Sequence, residues 1–360
     1  GGAINVVTNN EITKNITNVG LGSYNKRKLN FNLGIPISSE RSISLFGSKF
    51  LNDNYRDAAD YDGENLLLNL RQKIDNLDFN LDFTSSRQNK DLPGPRVKNG
   101  AVYNYHFCNR YEDSKTAKHI GGSFLTNGNK CNVNQRDDYA NTEMEMINGS
   151  LKVSQDELNK LFVNFGHKIK KDIAFIADNT STIHSPANGD RYLETIIDGQ
   201  IFNVRYENKK ITEDQSNILN IGFDHSHSYY ESKRYRTEGD PLGHNYDADL
   251  EVNSYYFQNT TFLNEPSLSI SFGYRYEKSI FGGRDERDPT VTGFVPSFWF
   301  DPSPEHDTLD KTDNNQAFNI GFEKRLNKEY SLYGGYAESF RIPNIDERIA
   351  ATSSSSFEYK

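Results

Sequence analysis

The sequence predicts an all-β fold, an antiparallel up-and-down β-barrel that spans a membrane. Three patterns lead to this prediction. Short segments alternate apolar and polar residues, the connections between them alternate in length, and the polar faces carry charged side chains. Because a strand turns successive side chains to opposite faces, such a segment has one apolar and one polar side. In a transmembrane barrel the apolar side faces lipid and the polar side faces the lumen.

Composition alone leaves the class open. The chain has 360 residues, a formal net charge of -9 and a hydrophobic fraction of 35%, values that also suit a soluble or partly disordered protein. The 21 Tyr and 23 Phe residues argue against disorder. A run of about 18 apolar residues, which a membrane-spanning helix needs, does not occur, whereas strands hide their apolar content by alternation. The acidic balance argues against nucleic acid as a partner.

The N-terminal part is predicted to hold a series of strands. Residues 1–8 include the β-branched Ile4, Val6, Val7 and Thr8 and are predicted to form a strand of their own. Alternation then predicts strands over 16–24, 29–37, 41–52, 63–74 and 77–83, with tight turns at 38–40 and 75–76. The last of these strands places Asp78, Asn80 and Asp82 on one face. A polar interior of this kind implies a wide lumen, filled by water or by another domain.

The rest of the chain continues the pattern. Further strands are predicted over 161–169, 173–178, 201–206, 219–229, 252–263, 268–280, 318–325 and 330–340, with 170–171 as the turn between the first two. Long polar excursions are predicted over 88–154, 179–199, 231–249 and 281–314. Short turns and long loops therefore alternate, which puts all short connections at one end of the sheet. A transmembrane barrel has that asymmetry, and a soluble sandwich has no reason for it.

One strand also predicts where the lipid ends. Along Leu268–Tyr276 the apolar face ends in Tyr274 and Tyr276. Tyrosine has an apolar ring and a polar tip, which suits an aromatic girdle at the lipid–water boundary. Ordinary tyrosines on a half-buried sheet are the alternative.

The two cysteines, Cys108 and Cys131, lie in a polar stretch. They are predicted to form one disulfide in an oxidising compartment, closing a loop worth roughly 3 kcal/mol in the chain-entropy model. Two unpaired thiols in a reducing cytosol are the alternative. Their spacing matches no common zinc pattern.

Four stretches resemble the TonB-dependent outer-membrane receptor family. The N-terminal segment resembles the last strand of that family's plug domain. The stretch that contains Tyr55 resembles a loop between two early barrel strands, and the stretch that begins at Leu92 resembles the start of an extracellular loop. A fourth is similar to a motif late in the family's barrel. The residues that carry the resemblance are Gly1, Gly2 and Asn5; Tyr55, Arg56 and Asp57; Leu92, Pro93 and Gly94; and Phe340, Arg341, Pro343 and Asn344.

This resemblance implies a 22-stranded barrel with a plugged lumen, of which about thirteen strands are counted here. Residues 1–12 are expected to be the end of the plug domain and 13–360 part of the barrel. The TonB box, most of the plug and the closing strands are expected outside this chain. The implied protein lies in the outer membrane of a Gram-negative bacterium, in contact with its lipid. It takes up a scarce nutrient, which is expected to be a ferric siderophore, with energy supplied by the TonB complex.

Ligand contact is expected in the first long loop, because rigid aromatics beside basic groups suit a bulky anionic ligand such as an iron chelate. Simple loop packing is the alternative. Arg234, Arg236, Arg284 and Arg287 are weaker candidates. The loop candidates are Arg96, Tyr103, Tyr105, His106, Arg110 and Tyr111.

No catalytic constellation occurs, so the chain is predicted to be no enzyme and to hold no cofactor or resident metal. His225 and His227 continue the outward parity of Ile221 and Phe223, which favours the rim of the lipid band over a metal pair. Other functions stay open: import of heme, cobalamin or another substrate, a passive porin or adhesin barrel, and a soluble carbohydrate-binding or enzymatic β-protein.

Overall fold

The computed structural model describes residues 15–54, 59–92, 117–120, 123–126, 139–176, 191–235, 244–265, 267–285 and 308–342. Within these residues one 13-stranded sheet runs from one neighbour to the next in chain order, and its strands pair antiparallel throughout. None of these residues forms a helix long and apolar enough to cross a membrane. The predicted all-β, up-and-down architecture is confirmed.

The strands of the sheet are long, and a separate two-stranded hairpin, β6–β7, lies in the first long connection. The strand bounds are β1 Ile16–Leu21, β2 Arg27–Ser38, β3 Arg41–Asn52, β4 Tyr61–Ile74, β5 Leu77–Asp91, β6 Ala117–Ile120, β7 Ser123–Thr126, β8 Tyr139–Ser154, β9 Asn159–Ile176, β10 Arg191–Ile211, β11 Gln215–Tyr235, β12 His244–Leu263, β13 Leu268–Asp285, β14 Thr308–Arg325 and β15 Ser331–Glu338.

The connections are sorted by length between the two ends of the sheet. One end, the short-turn end, has connections 39–40, 75–76, 155–158, 212–214, 264–267 and 326–330. The opposite end, the long-loop end, has connections 22–26, 53–60, 92–138, 177–190, 236–243 and 286–307. The predicted asymmetry is therefore present.

Backbone hydrogen bonds tie most of the short turns to a neighbouring strand. In four cases a strand N–H donates to a carbonyl of an adjacent turn, and in the fifth the donor is Asn264 of the turn 264–267, so that satisfied turn carbonyls form a rim. The bonds run from Lys73 to Glu40 (2.7 Å), from Ser154 to Asn76 (2.8 Å), from Lys209 to Leu158 (2.7 Å), from Asn264 to Asp214 (2.9 Å) and from Arg325 to Ser267 (3.0 Å). These bonds fix the turns against one another.

Two strand predictions in the middle of the chain are wrong. Tyr139–Ser154 is a strand, β8, although it was assigned to a long excursion. Asn159–Ile176 is one strand of 18 residues, so the hairpin predicted about Lys170 and Lys171 does not exist. The partner of β9 across the tight turn is instead β8. The two errors cancel in the strand count.

The physical reason is that these strands extend beyond the apolar band. In the long-loop half of β8 the outer face is polar, because Glu143 and Glu145 share the face that carries Ile147 and Leu151, whereas Met144 and Met146 lie on the inner wall. The apolar residues therefore change face within the strand, so that no single alternation runs through it. β10 and β11 have 21 residues each for the same reason, where shorter strands were predicted.

The two faces of the sheet differ as the alternation predicts. The outer face is defined by Leu77, Phe79, Leu81 and Phe83 and the residues in register with them. Leu77 is 37% and Phe83 39% exposed, with Phe83 opposite the apolar Leu68 and Ile147. The opposite face, which carries Asp78, Asn80 and Asp82, is named the inner wall below.

Candidate functional site

The inner wall of β3–β5 is a network of amides and carboxylates. Asn69, only 4% exposed, donates through Nδ2 to Asn80 Oδ1 and to Asp82 Oδ1, both at 2.6 Å. Asn80 Nδ2 donates to the other Asp82 oxygen at 2.9 Å. Ser44 Oγ lies 3.4 Å from Asn69 Oδ1 and donates to it. Hydrogen-bonded amides therefore stand where a dry core would need apolar side chains.

A second network on the inner wall is centred on Arg275 of β13. Its Nη1 lies 2.8 Å from Asp224 Oδ2 and its Nη2 lies 2.9 Å from Glu277 Oε2. Ser254 Oγ accepts a hydrogen bond from Arg275 at 2.8 Å and donates to Glu277 at 2.6 Å. Asn203 Nδ2 donates to Asp224 at 2.9 Å. Arg275 is thus neutralised by two carboxylates, and this arrangement leaves little positive charge for a ligand.

Strand register places six inner-wall residues, one from each of β8–β13, side by side in one row. The row is Lys152, Phe162, Arg205, Gly222, Tyr256 and Arg275. The Arg205 guanidinium carbon lies 4.3 Å from the centre of the Phe162 ring, which is a cation–π distance. The Tyr256 ring fills the space that a side chain at Gly222 would occupy. Cations and aromatic rings therefore alternate along this row.

The inner wall of β8–β10 is strongly basic, in contrast with the chain's net charge of -9. Two of its cations are in ion pairs, Lys170 with Asp172 at 2.6 Å and Lys209 with Glu207 at 3.4 Å. Among the described residues, no hydrogen bond or ion pair of a side chain is found for the three that we name the cationic patch. The cationic patch consists of Lys152, Lys160 and Arg205 around the ring of Phe162.

Near the long-loop end, the inner wall becomes aromatic. Tyr246 is 3% and Phe281 2% exposed, and both pack with Tyr230 and Ala248. The Arg234 guanidinium lies 4.6 Å from the Tyr246 ring centre. Arg234, a weaker sequence candidate, is therefore placed beside buried aromatics. Arg284 lies instead on the outer face, 3.4 Å from Asp247.

Histidine and tyrosine mark a boundary on the outer face. His227 Nε2 lies 2.9 Å from Asp249 Oδ1, and His225 Nδ1 lies 2.9 Å from Asn253 Oδ1. Both histidines share the face of Tyr255, which is 58% exposed and opposite Tyr276. Within the described part of the chain, no group of three potential metal ligands occurs. The outer face therefore changes from apolar to polar at this level.

Most residues singled out in the sequence lie outside the described residues. Leu92 directly follows β5, and Phe340 and Arg341 follow β15. The inner-wall residues Lys152, Lys160 and Arg205 were missed, although the parity of β8–β10 could have indicated them. Those outside are Gly1, Gly2, Asn5, Tyr55, Arg56, Asp57, Pro93, Gly94, Arg96, Tyr103, Tyr105, His106, Cys108, Arg110, Tyr111, Cys131, Arg236, Arg287, Pro343 and Asn344.

Comparison with known proteins gives one family and many similar folds. A family profile described as "TonB dependent receptor-like, beta-barrel" matches residues 7–358. The siderophore receptor PiuA from Acinetobacter baumannii is 11% identical with a TM-score of 0.61, over 89% of this chain and 48% of that one. The ferric-catecholate import receptor Fiu from E. coli K12, in its open form, is 10% identical with a TM-score of 0.62, over 89% of this chain and 53% of that one.

The copper transporter OprC is 13% identical with a TM-score of 0.60, over 93% of this chain and 46% of that one. Identities this low establish a shared fold and leave the ligand open. No curated protein matches the chain in sequence. The chain spans about half the length of these solved structures.

Proposed function

The chain belongs to the TonB-dependent receptor family, and from this premise we propose that it is part of an outer-membrane receptor that takes up a ferric siderophore. The receptor lies in the outer membrane of a Gram-negative bacterium and is in contact with its lipid. The TonB complex of the inner membrane supplies the energy for uptake. The short-turn end faces the periplasm and the long-loop end faces the outside.

One observation carries this proposal: the sheet has an apolar, exposed outer face on one side and, on the other, a polar inner wall that is basic over β8–β10. The first face suits lipid and the second suits a hydrated path. Ferric siderophores with carboxylate or catecholate groups are often anionic, and a basic wall lowers the electrostatic cost of admitting them. The siderophore receptors PiuA and Fiu, which share the fold, support this class of ligand.

Capture of the ligand is proposed for the first long loop, through Arg96, Tyr103, Tyr105, His106, Arg110 and Tyr111. A disulfide between Cys108 and Cys131 would restrict this loop and lower the ordering cost of binding. In purified, unreduced receptor we then expect that maleimide labels neither cysteine, and that both are labelled after treatment with dithiothreitol. Reaction of two thiols before reduction contradicts the pairing.

The experiment is radioiron uptake by cells that lack other siderophore receptors and carry the full-length gene. Ferric complexes of one catecholate, one hydroxamate and one carboxylate siderophore are offered singly. We expect uptake of at least one complex, and a loss of that uptake in a tonB deletion or after addition of a protonophore. Cells with the empty vector are the control.

The remaining outcomes separate the alternatives. A passive porin predicts uptake that neither the protonophore nor the tonB deletion changes. Growth restored by heme, or cobalamin uptake, with no uptake of any siderophore complex assigns a different ligand to the same family function. An adhesin predicts no TonB-dependent uptake of any of these compounds, and that result overturns the proposal.

A further inference from the structure

We propose that the cationic patch is an anion-binding site of its own, separate from the long loops, and that it takes a soluble ligand with several carboxylate groups. This inference deepens the proposed function and rests on it in one respect, namely that an anionic ligand travels along the inner wall. The binding itself can be measured without any uptake.

The orientation of Arg205 supports the assignment. Its guanidinium lies over the Phe162 ring at 4.3 Å, so that the ring covers one face of the planar group. Stacking of this kind holds the guanidinium in place and leaves its N–H groups free at the edge. A carboxylate meets an arginine edge through two parallel hydrogen bonds, so the free edge matches a carboxylate.

The neighbouring lysines provide charge for further carboxylate groups. Lys152 is directly opposite Phe162 on β8, and Arg205 is directly opposite it on β10. Two strand spacings separate their backbones by about 10 Å, within the combined reach of two long side chains. Lys160 lies two residues before Phe162 on the same face. Phe162 thus has Lys152 and Arg205 on either side in register and Lys160 on its own strand.

Nearby carboxylates do not neutralise the patch. Asp78 is opposite Lys152 in register, but it lies 3.2 Å from Arg71. Glu207 is opposite Lys160, but it lies 3.4 Å from Lys209. Arg275, in the same row, has two carboxylates of its own. Among the described residues, carboxylates therefore pair with the cations around the patch and none pairs with Arg205.

The position of the patch gives it a role distinct from capture. Lys152 and Lys160 lie next to the short turn 155–158, at the end opposite the long loops. An anion held there has already passed most of the length of the inner wall. We therefore assign the patch to the last part of the path, where it lowers the electrostatic energy of a desolvated anion.

The test is equilibrium dialysis of radiolabelled tricarballylate against the full-length receptor in detergent. Tricarballylate carries three carboxylates and no hydroxyl group, so it chelates iron poorly and probes the charge alone. We expect saturable binding that weakens with added NaCl. Arg205→Gln and Lys152→Gln are each expected to raise the Kd about tenfold, because each removes one charge-assisted contact.

Two controls and a second variant make the test specific. Lys278→Gln removes an outer-face lysine opposite Asn253 and should leave the Kd unchanged. The neutral trimethyl ester of tricarballylate should not compete. Phe162→Leu keeps every charge but removes the stacking, so its Kd should lie between those of wild type and Arg205→Gln. Heat-modifiable migration on gels verifies that each variant is folded.

The inference is overturned if wild type binds no tricarballylate, or if Arg205→Gln binds it as tightly as wild type. A patch already occupied by a carboxylate of the protein itself would give the first of these results. Siderophore uptake with no effect of Arg205→Gln on dialysis rejects the patch and keeps the proposed function. Charge-dependent binding of tricarballylate without radioiron uptake supports the patch and rejects the proposed siderophore uptake.

Discussion

The ring of Phe165 lies across Gly149, its partner in register on the neighbouring strand, in the space that a Cβ of residue 149 would occupy. The same relationship joins Phe31 to Gly47 on the outer face. An aromatic ring that covers a cross-strand glycine replaces the packing that the glycine lacks. The outer face therefore uses paired glycine and phenylalanine to keep a smooth apolar surface.

Gly149→Ala is expected to lower the free energy of unfolding by about 1–3 kcal/mol, because the new methyl group displaces the Phe165 ring from its place. Urea-induced unfolding of the receptor from lipid vesicles measures the change. Gly199→Ala is the matched control, since the nearest atom to its Cβ, the Lys168 carbonyl oxygen, is 4.0 Å away. An equal loss in both variants contradicts the packing role of Phe165.

Ile270→Lys tests which face meets lipid. Ile270 is 41% exposed on the outer face, where a lysine costs up to about 2–4 kcal/mol, the value at the bilayer midplane, and less toward the interfaces. We expect a lower yield of folded receptor in lipid vesicles. Ser271→Lys, one residue further along and on the inner wall, places the same charge toward the lumen and should fold like wild type. A lower yield for Ser271→Lys but not for Ile270→Lys would show that the inner wall, and not the outer face, meets lipid.

Glu277→Ala tests the Arg275 network. Glu277 is only 6% exposed and lies 2.9 Å from Arg275. Its removal leaves the Ser254 hydroxyl without its acceptor and Nη2 of Arg275 without its carboxylate, which costs on the order of 3 kcal/mol for a buried charge pair. Glu323→Ala is the control, because Glu323 is on the same face but exposed. Unfolding in urea, followed by gel mobility, compares the two. Equal midpoints mean that the network adds no stability.

Asp156 in the short turn 155–158 predicts a pH effect. A side-chain hydrogen bond from Asn159, then the backbone N–H of Leu158, lowers the pKa of Asp156 below its ordinary value. A lowered pKa in the folded state means that the ionised carboxylate stabilises the turn above the unfolded-state pKa. This contribution is lost as the pH falls through the folded-state pKa.

Asp156→Asn should therefore lower stability near neutral pH by more than it does in acid. Urea midpoints measured at several pH values give the difference between variant and wild type. Asp214→Asn, in another short turn, has no such hydrogen bonds among the described residues and is the control. A difference for Asp156→Asn that stays constant with pH contradicts the assignment.

Part of the fold could be predicted because the signal is local. β3 was predicted over 41–52, the bounds that the structure gives it, and the turn at 75–76 was also correct. β3 lies where one face meets the apolar band and the other the lumen, and the turn joins two strands of the same kind. β8 was missed because its apolar residues change face between Met146 and Ile147, and β9 was divided because Lys170, Lys171 and Asp172 form a polar run that resembles a turn.

The candidate site could be predicted only in part. Alternation correctly predicted that Asp78, Asn80 and Asp82 lie on the inner wall and that His225 and His227 lie on the outer face. The strand register confirms both. It did not indicate that Arg205 stacks on Phe162, because those residues lie on different strands and far apart in sequence. The roles predicted for the first long loop and for the disulfide stay predictions.

The sequence by itself determined the face of each side chain in the strands that it predicted correctly, and the end of the sheet at which most connections lie. Both follow from local geometry, since a strand has a period of two and each turn reverses the chain. Only the tertiary structure decided which residues share a row across β8–β13, and hence that Lys152, Phe162 and Arg205 meet while Arg275 is neutralised. The reason is that register is set by hydrogen bonds between strands, and alternation fixes a face but not a height along the strand.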